Sequence, residues 1–66
     1  MNLWVNGDYA EINGLTTVAE LATHYGLQPN SVLIEHNTVA LHQRERSERP
    51  LAEGERIEFV RVVAGG

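Results

Sequence analysis

Thr17-Val18-Ala19-Glu20-Leu21-Ala22-Thr23-His24-Tyr25-Gly26 is the stretch on which the fold turns. Thr17 and Glu20 have the spacing of a capping box, in which the hydroxyl accepts from the Glu20 amide and the carboxylate reaches back. Val18, Leu21, Ala22 and Tyr25 recur at i, i+3, i+4 and i+7, one face of a helix. Gly26 suits the left-handed residue that ends a helix, and Pro29 cannot continue it. The pattern predicts a helix over 17–25. A helix of about two to three turns does not persist alone in water, so its apolar face must lie on a sheet.

The flanking residues supply that sheet. On the N-terminal side, Met1, Leu3 and Val5 alternate with Asn2, Trp4 and Asn6, the period of a half-buried strand. Asn6-Gly7 is a strong hairpin signal, so Tyr9 to Ile12 reads as the returning strand, closed by Asn13-Gly14. On the C-terminal side, Ser31 to Glu35 contains the apolar run Val32-Leu33-Ile34. Asn37 marks a turn before a short strand, Val39-Ala40-Leu41. Residues 42–49 are the most polar stretch and read as a solvated connection with at most a turn of helix. Leu51 returns to the core, and Glu53-Gly54-Glu55 makes a tight turn. Arg56 to Val63 is the longest strand candidate, with Ile57 and Phe59 inward and Glu58, Val60 and Val62 on the other face.

Strand, strand, helix, strand, short strand, strand implies an α+β domain, a small mixed sheet with one main helix packed on one face. A helix between strands commonly crosses over to a parallel neighbour. The order matches the β-grasp fold of ubiquitin-like proteins. Residues 1–64 form that domain and residues 65–66 a flexible tail.

The composition narrows the function. The 66 residues suffice for one domain with a modest core and no deep enzymatic cleft. There is no cysteine, so neither a disulfide nor a thiolate is available from the chain itself. The net charge of −4 argues against nucleic acid, which rewards a basic surface. No apolar run approaches the roughly 20 residues that span a bilayer, and no signal peptide is visible, so the chain reads as cytoplasmic. His24, His36 and His42 lack metal-ligand spacing and read as ordinary surface or edge histidines. Asp8 is the single aspartate and falls in a hairpin turn, a poor member for a catalytic triad. Glu53 and Glu55 read as turn residues. Trp4, on the outer strand face, is either a partner anchor or a residue covered by its neighbours.

The informative feature is the end, Arg61-Val62-Val63-Ala64-Gly65-Gly66, where a strand runs into two glycines. Residues without a Cβ can thread a narrow channel and adopt almost any φ. A carboxylate presented this way can enter another protein's active site and be adenylated. A sulfur nucleophile can then displace AMP, and none of this chemistry needs a side chain from this chain.

Three stretches carry a resemblance: Val32-Leu33-Ile34-Glu35-His36-Asn37, then Leu51-Ala52-Glu53-Gly54-Glu55-Arg56-Ile57-Glu58-Phe59-Val60, then Val63-Ala64-Gly65-Gly66. Together they resemble the sulfur carrier family of thiamine biosynthesis, whose pattern has a strand ending in Asn, a Leu-x-x-Gly-Asp-x-Ile segment and a terminal Gly-Gly. Glu55 departs from the family's common Asp but keeps the charge. The resemblance implies that Gly66 is adenylated and converted to a thiocarboxylate, with Gly65 as the threading residue. It implies a carrier, not an enzyme, with no permanently bound cofactor. ATP and magnesium would be used by a partner adenylyltransferase related to ubiquitin-activating enzymes. A persulfide would supply the sulfur, and thiazole synthase would receive it. Ala64 joins Gly65 as a partner-binding residue, and the strand pattern adds Val62 and Val60. Two alternatives stay open: a sulfur donor like the small subunit of molybdopterin synthase, and a β-grasp interaction module with an inert tail.

Overall fold

The computed structural model describes residues 1–62. Five strands form one sheet in the order β2-β1-β5-β3-β4, and α1 (Val18–His24) covers one face. The strands are β1 (Asn2–Val5), β2 (Asp8–Glu11), β3 (Val32–His36), β4 (Val39–Leu41) and β5 (Arg56–Arg61). The expected strands are all present, with boundaries shifted by one or two residues.

The helix forms as its caps dictate. Thr17 Oγ1 accepts from the Glu20 amide at 3.2 Å, and Glu20 Oε1 accepts from the Thr17 amide at 3.0 Å. At the other end Gly26 has φ +72°, the Leu27 amide donates to the Ala22 carbonyl, and the Gly26 amide donates to the Thr23 carbonyl. These paired bonds, with Gly26 as the left-handed residue, satisfy carbonyls that the ending helix leaves free. Val18, Leu21 and Ala22 are buried, as the periodicity requires. Tyr25 is not: it caps the helix, stays 43% exposed, and rests its ring 5.7 Å from that of Phe59. The half-buried Phe59 is thus shielded by a neighbouring ring.

Both hairpins turn on two residues of positive φ, Asn6-Gly7 and Asn37-Thr38, the backbone that matches the twist of a tight hairpin. Each asparagine also reaches across to β5. Asn6 Oδ1 accepts from the Phe59 amide at 2.7 Å, and Asn37 Oδ1 accepts from the Arg56 amide at 2.9 Å. β1 pairs with β5 at Trp4↔Arg56 and Val5↔Ile57, so the Asn6 side chain continues a ladder that the turn has ended.

The crossover differs from expectation. β2 and β3 point the same way, but they are not neighbours, because β1 and β5 lie between them. The parallel pair is β1 with β5, joining the two ends of the chain in the middle of the sheet. The core under α1 is Leu3, Val5, Ile34, Leu51 and Ile57, as expected, together with Ile12, Val32 and Leu41.

Two polar residues contradict the surface roles read from the sequence. His36 is 7% exposed, because the β3 alternation that buries Val32 and Ile34 also turns residue 36 inward. Its Nε2 donates to Glu55 Oε1 at 2.8 Å. Residues 42–49 are not simply solvated either. After a 3₁₀ turn at Gln43–Glu45, Arg46 is buried at 5% exposure and donates to the carbonyls of Pro29 and Val32.

Candidate functional site

Gly66, Gly65 and Ala64, the centre of the proposed chemistry, lie outside the described residues, as does the expected flexible tail. What the structure describes is the platform from which they leave. Val62 is its last residue, and the Val62 amide donates to the Ser31 carbonyl at 2.8 Å.

Ile57 and Phe59 face the helix, so the strand alternation sends Val60 and Val62 to the opposite, uncovered face. Both are exposed, at 48% and 43%. The register sets Leu33 directly across from Val60, and Leu33 is 58% exposed. Three branched apolar side chains therefore stand uncovered on the outer face, next to the start of the tail. Leu33 was missed in the sequence because its run, Val32-Leu33-Ile34, reads as plain core. An apolar residue in the outward phase of a strand covered on one face only was the available signal.

Further along the same face, Glu35 lies opposite Glu58, and both are exposed. Like charges directly opposite destabilise a sheet, so this pair adds an acidic patch and no stability. Beyond it Trp4 pairs with Tyr9 across the β1–β2 hairpin, their ring centroids 4.8 Å apart. The Arg56 guanidinium sits 5.4 Å from the Trp4 ring centre. Trp4 is half-buried by these neighbours.

The only hydrogen-bonded cluster of ionisable groups in the described core region, His36 with Glu55, lies at the far end of β5 from Val62. Burial pushes the Glu55 carboxyl up, but bonds from His36, the Ala52 amide and the Asn37 side chain outweigh it and hold the group below its usual range. This pair tethers the 52–55 turn to the β3–β4 hairpin. Among the described residues no group of three or more His, Asp or Glu side chains could hold a metal. No described helix is long and apolar enough to cross a membrane.

A five-stranded mixed sheet gripping one helix, with its last strand at the centre, defines a ubiquitin-like β-grasp domain. The ThiS family model matches residues 3–66, and the chain belongs to that family. The crystal structure of the thiamine biosynthesis protein ThiS from Geobacter metallireducens is similar, with a TM-score of 0.85 and 29% identity over 100% of both chains. A solution structure of a thiamine biosynthesis protein from the same organism matches at a TM-score of 0.81 and 29% identity, covering 100% of this chain and 88% of that one. No curated protein sequence matches. Family and structural likeness support a sulfur carrier role in thiamine biosynthesis, the role of a carrier and not of a catalyst.

Proposed function

We propose that the chain carries sulfur as a thiocarboxylate on Gly66. A partner adenylyltransferase, using ATP and magnesium, joins the Gly66 carboxylate to AMP and releases pyrophosphate. The terminal sulfur of a persulfide then displaces AMP, and a second thiol cleaves the remaining S–S bond to leave the thiocarboxylate. The sulfur passes to thiazole synthase. The reading sets this chemistry in the cytoplasm, where thiols stay reduced.

The observation that supports this reading best is the uncovered apolar patch of Leu33, Val60 and Val62, standing where β5 leads into Val63-Ala64-Gly65-Gly66. A contact made there sets the distance between the docked domain and the entering carboxylate. The last four residues span at most about 13–14 Å when extended. Gly65 has no side chain to obstruct the passage. The acidic Glu35 and Glu58 beside the patch suit a partner surface that carries cations.

Incubation with the adenylyltransferase, ATP, magnesium and a persulfide source tests the proposal. Intact-mass spectrometry is expected to show one oxygen replaced by sulfur on the C-terminal fragment, and deletion of Gly66 is expected to abolish the gain. A gain that survives the deletion refutes the carrier chemistry.

A further inference from the structure

The 43–46 segment takes no part in the sulfur chemistry just described, yet it braces the point where β5 ends. Ser31, whose carbonyl accepts from the Val62 amide at 2.8 Å, sits in the short connection between α1 and β3. Arg46 Nη1 donates to the Pro29 carbonyl at 3.1 Å, and Arg46 Nη2 donates to the Val32 carbonyl at 2.8 Å. The two carbonyls flank Ser31 in the chain. Gln43 Nε2 adds bonds to the Pro29 carbonyl at 3.1 Å and to Asn30 Oδ1 at 2.9 Å.

Topology explains why a side chain is needed. The β3–β4 ladder ends at Ile34↔Leu41, so β4 does not extend to Val32. The guanidinium supplies the donor that a longer β4 would have provided. It does so at a cost, because Arg46 is 5% exposed and its Nε has no hydrogen-bond partner. A buried guanidinium with one N–H unmet, and only neutral carbonyls opposite, is not a stabilising choice for a core position. Its geometry is set by the two carbonyls that its planar fork spans, a task that a point charge such as lysine meets only in part.

We propose that Arg46 is a positioning residue for the Gly66 terminus. By holding Pro29 and Val32 it fixes Ser31, and through Ser31 it fixes Val62, from which the last four residues depart. The inference rests on the sulfur carrier reading. Loss of the Val62 anchor by one residue moves the origin of the tail by about 3.4 Å relative to Leu33 and Val60 in the docking patch. Adenylation needs reacting atoms aligned to within about an ångström, so the slip would lower turnover more than docking.

Two measurements on the full chain test this with Arg46→Met, which keeps the side-chain bulk, and Arg46→Lys. Amide exchange at Val62 is expected to speed up about tenfold in Arg46→Met, while exchange at the Trp4 amide, bonded to Glu55 in the β1–β5 ladder, stays unchanged. In the thiocarboxylation assay kcat is expected to fall about tenfold with KM within about twofold of wild type, and Arg46→Lys to recover part of both effects. Unchanged exchange at Val62 overturns the proposal. So does faster exchange with unchanged kcat, or an equal loss at Val62 and Trp4, which marks general destabilisation. If Arg46→Met does not fold, the same comparisons apply to Arg46→Lys. A wild-type chain that gains no sulfur refutes the carrier reading itself, and that failure is read before any variant is compared.

Discussion

Replacing Asn6 separates two contributions that the structure combines at one residue. Asn6 holds φ +53° in the β1–β2 turn, and its Oδ1 accepts from the Phe59 amide at 2.7 Å. Asn6→Gly keeps the backbone conformation and removes the acceptor, a loss of about 1 kcal/mol for one hydrogen bond. Asn6→Ala removes the acceptor and also sets at φ +53° a residue without asparagine's tolerance of the left-handed region, which costs about 1–2 kcal/mol more than glycine does there. Asn6→Asp keeps the acceptor and should stay within about 0.5 kcal/mol of wild type. A domain of 66 residues has a total stability of roughly 3–10 kcal/mol. Each kilocalorie then lowers Tm by about 4–8 °C. The expected order of melting is wild type near Asp, then Gly, then Ala, followed by thermal unfolding in circular dichroism. If Asn6→Gly melts with wild type, the bridge to β5 contributes nothing. If Asn6→Ala matches Asn6→Gly, the backbone argument fails.

Three other outcomes are expected. Phe59→Ala should cost about 2–3 kcal/mol in urea unfolding, less than a fully buried Phe, because the ring is half-buried under Tyr25; a loss above that of Ile57→Ala, a residue of 0% exposure, would contradict this ranking. The folded-state value of the Glu55 carboxyl is depressed, so its contribution is full above its ordinary value of 4.5 and disappears as pH falls through the lower folded value; Glu55→Gln should flatten the acid limb of stability against pH, and an unchanged limb counts against the tether. Leu33→Asp and Val62→Asp should leave Tm within a few degrees yet raise KM for thiocarboxylation about tenfold, since each buries a charge on docking; wild-type KM in both would exclude the outer face as the docking surface.

Legibility in the sequence followed the range of each interaction. The capping box, the Gly26 stop and the Asn6-Gly7 turn each depend on residues within a few positions, and all three formed where expected. The outward phase of Val60 and Val62 was also readable, since alternation along one strand is local. The outward phase of Leu33 was equally local, but its place in the patch was not, because that comes from standing across from Val60 on β5, 27 positions on. The inward phase of His36 follows from the same alternation, but its partner, Glu55, is 19 positions away and was not readable. Arg46 was hidden for the same reason inside the most polar run of the chain, its two carbonyl partners 17 and 14 positions earlier.

The sequence by itself determined the elements, their order, the helix face that must be buried, and a terminal Gly-Gly, for which the chemistry proposed above needs no side chain. Propensity, period and capping act within a turn or a strand, so a linear reading captures them. Only the tertiary structure decided that β1 and β5 pair in parallel at the centre, that Leu33 completes the apolar patch, and that a buried arginine braces the connection holding Val62. Those features depend on which distant segments the collapsed chain sets side by side. Register and the unmet carbonyls of a short edge strand exist only once the sheet has closed around its last strand.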